Sequence, residues 1–426
     1  MRLFGALAAF AWLAGAQDLD PGVRLLARIK NHVGEELSRL PNYTCLETIV
    51  RFRKETSRAK LQPVDTVRLE IVYSDHKEWY GSPGDRSFSA DHPSAFTAGG
   101  MTANGSFAIT LHNLFQTDAA TFTYRGEETL GSRRAVRYDF RWPRWLGGFE
   151  VSIFGGTGTV GEKGSFWADP QSLDLIRLES DADEIPLFLL LQGLHSSMNY
   201  ARTRIGEYDA LLAQQADTDM VKTTGEESYD RLEFTHCRAF SAQSAISFGT
   251  GVDDGEKPPA EVSAAAVHGS AAAAVPALLK ITIRLASTIT EKDAVGTLIE
   301  GRVVGDVARK GKVIIPNDAA VRGRIRRLER YQSGADWIVG LEFTEVEASA
   351  GPGPFYADLL QMDRQPDLRA TLSEQVLVNS GGLYQVTPET VTLPELPGVA
   401  SFFVHGNTFT LSSGLRMAWR TRGPIR

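Results

Sequence analysis

This chain of 426 residues holds only two cysteines, and eight histidines that stand singly at positions 32, 76, 92, 112, 195, 236, 268 and 405. So few cysteines exclude a disulfide-dense scaffold, and no Cys-x-x-Cys, HExxH or Gly-x-Ser-x-Gly pattern occurs. The sequence therefore names no catalytic residue, no metal ligand set and no cofactor. Acidic clusters such as Asp181-Ala-Asp-Glu184, Asp217-Thr-Asp219 and Asp253-Asp-Gly-Glu256 lack the ligand ladder of a calcium loop and read as solvated turns. An excess of positive charge is also missing. With Arg2 removed, 44 basic face 52 acidic side chains, which argues against general nucleic-acid binding. The part from Gln17 to Leu279 is near −10, and the part from Lys280 onward near +2.

What is present begins with MRLFGALAAFAWLAGAQD, a positive start, a short apolar core and the small residues Ala14-Gly15-Ala16. These are the parts of a secretory signal, with cleavage expected after Ala16. The apolar run is too short to span a bilayer as a retained anchor, and no other transmembrane segment is expected in the mature chain. In an oxidising compartment Cys45 and Cys237 are expected to pair. The alternative is a reactive thiol or a metal ligand. His236 precedes Cys237, but adjacent strand residues point to opposite faces, and no second pair with ligand spacing exists.

About 410 residues remain after cleavage, enough for two domains of ordinary size. Asp20-Pro21 caps an expected helix to Leu40, with Val23, Leu26, Ile29, Val33 and Leu37 along one face. After Pro41 short β-type runs follow, at 43–52, 67–73, 121–124, 135–142, 150–154, 164–167, 173–179, 198–205 and 231–240. The glycine-rich stretch Gly81 to Ser106 reads as a mobile loop. Residues 249–277, rich in Ala, Gly and Pro, read as a linker, with a short alanine helix as the alternative. From 278 to 426 many short strands recur at roughly ten-residue spacing, as in a small barrel or sandwich. The expected fold class is α+β: an N-terminal helix with an antiparallel half-barrel meander over 17–248, then a mostly-β domain.

Three stretches invite a functional reading. Gly156-x-Gly158-x-x-Gly161 has the spacing of a dinucleotide loop, but strand-like text and Asp169-Pro170 follow where a helix must start. A glycine-relaxed bend between antiparallel strands is the alternative. Ile185 to Leu194 is the most apolar stretch of the mature chain, and either packs as core or lines an apolar cavity with Leu187, Phe188, Leu190 and Leu191. The run Arg322 to Arg330 offers Arg322, Arg324, Arg326 and Arg327 to an anionic surface, with a solvated outer face as the default.

One helix, then a meander carrying Gly164-Ser-Phe-Trp-Ala-Asp-Pro-Gln-Ser-Leu-Asp-Leu-Ile-Arg-Leu, resembles the LolA-like periplasmic carriers. That resemblance implies a half-open barrel wrapped around a helix and able to hold lipid. Further on, Gly296-Thr-Leu-Ile-Glu-Gly-Arg-Val-Val-Gly-Asp-Val and Ile315-Pro316, Ala319, Val321 and Gly323 resemble the β-barrel domain of TrbI-type conjugation-channel proteins. Asn317-Asp318 departs from that pattern, and no helical antenna is visible. The expected function is a non-enzymatic periplasmic or secreted envelope protein, with a lipid or apolar ligand, or an envelope protein, as partner. A structural part of a secretion or envelope complex, and a hydrolase of an envelope polymer, are the alternatives.

Overall fold

The computed structural model describes residues 20–74, 77–85, 87–89, 96, 108–153, 156–239, 247–249, 275–331, 336–363, 368–371, 396 and 398–424. The signal segment 1–16, most of the glycine-rich stretch, residues 250–274 of the linker and the cluster Asp253–Glu256 lie outside the described residues.

The first helix forms where its caps place it. In α1 (Pro21–Arg39) the Asp20 side chain accepts from the Gly22 amide at 2.7 Å, and Pro21 occupies the first turn. Ile29, Val33 and Leu37 are buried, whereas Val23 is exposed. A second helix, α2 (Ala108–Phe115), buries Leu111, Leu114 and Phe115 and packs against α1.

The rest of this half is one antiparallel sheet. Its strands are β1 (Tyr43–Lys54), β2 (Gln62–Ser74), β3 (Lys77–Gly81), β4 (Ser87–Ser89), β5 (Thr121–Leu130), β6 (Arg133–Trp142) and β7 (Phe149–Ile153). They continue with β8 (Gly156–Ala168), β9 (Leu175–Asp183), β10 (Leu191–Ile205), β11 (Tyr208–Lys222), β12 (Glu227–Ala239) and β13 (Ser247–Gly249). The order is β13-β4-β3-β2-β1-β12-β11-β10-β9-β8-β6-β5, with β7 on β8 and only the short β13–β4 pair parallel. Cross-strand register aligns Tyr138, Phe166, Leu178, Met198, Ala216, Leu232, Ile49 and Val67 in one row, all buried. That row marks the inner face, since Phe115 of α2 packs edge-on against Phe166 and Tyr138 Oη donates to the Gly22 carbonyl at 2.7 Å.

The C-terminal half contains β14 (Lys280–Leu285), β15 (Ile289–Thr290), β16 (Leu298–Val303), β17 (Val307–Arg309), β18 (Lys312–Ile315), β19 (Ala320–Tyr331) and β20 (Asp336–Ala348). It ends with β21 (Gly351–Pro354), β22 (Ala357–Met362), β23 (Leu368–Thr371), β24 (Ala400–His405), β25 (Thr410–Leu411) and β26 (Arg416–Thr421). A nine-stranded sheet runs β22-β26-β14-β16-β19-β20-β24-β23 with β21 on β20, and β15–β25 and β17–β18 form two ribbons.

The α+β class expected from the sequence is corrected to mostly β: strands hold 62% of the structure and helices 11%. The two helices form no layer of their own. They sit on the inner face of the sheet, and no α-helix occurs among the described residues beyond Phe115. The two sheets meet at a backbone bridge. β3 covers only the far half of β2, and at the uncovered end Arg68 N donates to Val295 O and Val295 N to Thr66 O, both at 2.8 Å. Gly296 follows at φ +93, and a Cβ there would stand 2.5 Å from the Arg68 carbonyl, so the close approach requires glycine.

Candidate functional site

Two residues along the strands from the apolar row, the inner face turns polar. Register places Gly164, Ser180, Ser196, Thr218, Asp230, Arg51 and Asp65 side by side across β8, β9, β10, β11, β12, β1 and β2. Arg51 and Asp65 form a buried two-point pair, with Nε to Oδ1 at 2.6 Å and Nη2 to Oδ2 at 2.5 Å. Asp230 lies on the other side of Arg51. Burial pushes its carboxyl up to about 7, against the pull of Arg51. Glu47, four residues back on β1, is pushed up to about 8 by burial and by the charges of Glu78 and Asp230. Glu47 Oε2, Thr218 Oγ1, Asp230 Oδ2 and Tyr200 Oη are buried and have no hydrogen-bond partner among the described residues. Around neutral pH, Glu47 and much of Asp230 are therefore uncharged acids that present unused hydrogen-bonding capacity to the interior.

Beyond the polar row the inner face ends in an apolar lip. Chain 186–190 makes a short 3-10 turn (Leu187–Leu189) between β9 and β10. Leu189 and Leu191 point inward and pack with Val151, Val160 and Met220. Leu187, Phe188 and Leu190 are 94, 62 and 61% exposed. The turn is bracketed by two non-glycine residues in the left-handed region, Glu184 at φ 51 and Leu190 at φ 50. Leu190 is held there by Thr223, whose amide and hydroxyl both donate to its carbonyl at 2.9 and 3.1 Å. A second 3-10 turn, Arg144–Leu146, projects Trp145 at 77% exposure. Glu184 joins the two turns: its Oε2 accepts from the Arg144 amide and its Oε1 from Arg141, at 3.1 and 3.0 Å.

Of the four residues expected to line an apolar cavity, Leu191 is thus buried, whereas Leu187, Phe188 and Leu190 are largely exposed at the lip, Phe188 with its ring over Gly158 beside Leu189. Periodicity carries no information on which side of a turn faces solvent. Trp145 went unnoticed in the sequence, although its bracketing by Pro143 and Gly147-Gly148 marks an exposed turn. The dinucleotide-like glycines run within β8, with no helix after Gly161, and Phe188 rests on Gly156 and Gly158.

Cys45 and Cys237 form the expected disulfide, joining neighbouring strands β1 and β12 across 192 residues of sequence. Four arginines of β19 each meet a carboxylate. Arg322 bonds Glu345 and Glu347, both at 2.8 Å, Arg326 lies 3.6 Å from Glu342, and Arg327 pairs with Glu329. Arg324 reaches across to the first sheet, donating to Asp85 Oδ1 at 2.6 Å and to the Pro83 carbonyl at 2.6 Å. A register shift between Ile325 and Arg327 breaks the simple alternation that would keep these side chains on one outer face. The acidic clusters that are described serve as side-chain partners: Asp181 hydrogen-bonds His195, Asp183 pairs with Arg141 and Lys163, and Asp217 with Arg231. Among the described residues no group of three His, Cys, Asp or Glu is placed to hold a metal, and no helix is long and apolar enough to cross a membrane.

No protein-family model and no curated protein sequence matches the chain. Solved structures do. A LolA-superfamily protein from Nitrosomonas europaea is 10% identical, covering 51% of this chain and 94% of its own, with a TM-score of 0.25. An outer membrane lipoprotein-sorting protein domain from Vibrio parahaemolyticus is 12% identical, covering 50% and 92%, at 0.27. ComB10 of the Com type IV secretion system of Helicobacter pylori is 15% identical, covering 34% and 86%, at 0.20. Both resemblances expected from the sequence, to LolA-like and to conjugation-channel proteins, have counterparts among these structures. At such TM-scores they assign no ligand and no partner.

Proposed function

We propose that this is a periplasmic or secreted, non-enzymatic protein whose N-terminal half-barrel takes an apolar ligand of the lipid class at its lip. The observation that carries this reading is the exposure of Leu187, Phe188 and Leu190 beside a strip of the inner face formed by Val160, Leu189, Leu191 and Met220. Leaving large apolar side chains in water costs roughly 1.5–3 kcal/mol each relative to burial, so an apolar occupant recovers that free energy. The polar row supports a ligand with a polar end. Thr218, with its unused hydroxyl, is two residues from Met220 on the same face. Protonated Glu47, together with the protonated fraction of Asp230, lets hydrogen-bond donors and acceptors sit inside without two full buried negative charges. The disulfide fits an oxidising compartment, as does the export signal.

Organic extraction of the protein purified from its native compartment, followed by lipid mass spectrometry, tests the proposal. Displacement of a fluorescent fatty acid provides the second arm. Recovery of a stoichiometric lipid, and its loss in a Leu187→Ser/Phe188→Ser variant, is the expected result. A lipid-free protein that takes up no fatty acid would sink the reading.

A further inference from the structure

The ligand reading leaves part of the lip unexplained. Trp145 belongs to a different turn from Leu187, lies on the far side of Glu184, and is exposed far beyond what contact with a ligand on the inner face requires. We propose that the turns Arg144–Leu146 and Leu187–Leu190 form a single foot that seats the protein on the surface of an anionic lipid bilayer. This deepens the lipid-class reading above and rests on it, because the same lip then meets both the ligand and its source.

Four observations carry the proposal. The exposed apolar side chains stand on two turns, Trp145 on one and Leu187, Phe188 and Leu190 on the other. A folded partner would need a matching pocket for each, whereas the fluid boundary between headgroups and acyl chains reshapes around them. The composition is that of an interfacial anchor, a tryptophan with leucine and phenylalanine beside a cation. That cation is Arg144, exposed on the tip, whose guanidinium makes no ion pair among the described residues, unlike its neighbour Arg141, which Asp183 and Glu184 neutralise. A free guanidinium next to Trp145 complements phosphate groups at headgroup level. Finally, the foot is held rigid. Glu184 ties the two turns together, Thr223 clamps Leu190, and two left-handed non-glycine residues fix the ends of the second turn. Backbone strain of this kind persists where the surroundings over-determine it.

Co-sedimentation of the purified protein with vesicles tests the foot. Vesicles of phosphatidylcholine mixed with phosphatidylglycerol should retain the protein, and pure phosphatidylcholine should retain less. Leu187→Ser/Phe188→Ser should weaken retention by at least about tenfold, and so should Trp145→Ala on the other turn. Arg144→Gln should remove the preference for anionic vesicles while leaving binding to neutral ones. All of these side chains are exposed, so the variants should keep the thermal midpoint of the parent, and a midpoint check accompanies each assay.

Failure of the parent protein to bind either vesicle overturns the proposal, as does unchanged retention of folded variants. If the substitutions instead abolish self-association in light scattering, the foot is a contact between copies and the bilayer assignment falls. The two readings also separate. A protein that takes up fatty acid but ignores vesicles loses only the foot, and one that binds vesicles through the foot but takes up no lipid loses only the carrier function.

Discussion

Phe188 lies over Gly158, so close that a Cβ on Gly158 would stand 2.9 Å from the ring. The glycine spacing that suggests a phosphate loop instead clears a seat for an aromatic side chain of the lip.

This contact has a measurable counterpart. Phe188 is largely exposed and can swing aside, so Gly158→Ala should cost about 1 kcal/mol or less while displacing the ring. Gly164→Ala meets backbone, because its Cβ would stand 1.9 Å from the Glu179 carbonyl. It should cost about 3 kcal/mol or more, or prevent folding. Urea midpoints of the two variants compare them directly, and equal midpoints would refute the distinction.

The disulfide joins the neighbouring strands β1 and β12 and closes a stretch of sequence that contains most of the first sheet. With a loop of 192 residues, the chain-entropy model assigns it roughly 5 kcal/mol. A Cys45→Ala/Cys237→Ala variant, or the parent under reductant, should therefore unfold at a clearly lower denaturant concentration. No change in midpoint would show that neighbouring ladder contacts already set the stability.

Stability should fall toward alkaline pH for a reason located on the inner face. Glu47 and Asp230 have folded-state pKa values raised from 4.5 to about 8 and from 3.8 to about 7. Between the ordinary and the raised values the folded state holds protons that the unfolded state releases, so this contribution is fully present below about pH 4, declines as pH rises, and is lost above the folded values near 7 and 8. Glu47→Gln should flatten the decline, read as urea midpoints from pH 6 to pH 9. A Glu47→Gln variant with the parent's slope would exclude Glu47 as the origin.

Arg324 is buried between the sheets and bonded to Asp85, Pro83 and Gly296. Arg324→Met removes its charge and leaves partly exposed Asp85 and two carbonyls without that donor, a loss of about 1–3 kcal/mol. Because the bridge at Val67 and Val295 is next to it, calorimetry should resolve two transitions in this variant where the parent shows one. A single unshifted transition would mean that Arg324 contributes nothing to coupling.

The elements that could be read in advance are those specified locally. Asp20 and Pro21 announce α1, and alternation announces most of the strands. The disulfide follows from two cysteines in a chain expected to be exported. β11 escaped because Ala210-Leu-Leu-Ala-Gln-Gln-Ala-Asp lacks β-branched residues, and it becomes a strand by pairing with β10 and β12. The polar row is illegible for a different reason. Thr218, Asp230 and Arg51 are 12 and 179 positions apart in sequence, and only register brings them side by side. The β19 arginines look like a solvent-facing cationic strip until the register shift and the facing carboxylates are known.

The bridge at Val295 has one more consequence. Between Gln62 and Leu69, β2 has no β3 beside it, and an unpaired flank of this kind in a thirteen-stranded sheet is a template for pairing with a foreign strand. Through Val295, which bonds Thr66 and Arg68 of β2, the C-terminal half caps part of that flank and leaves less of it open to edge-to-edge pairing.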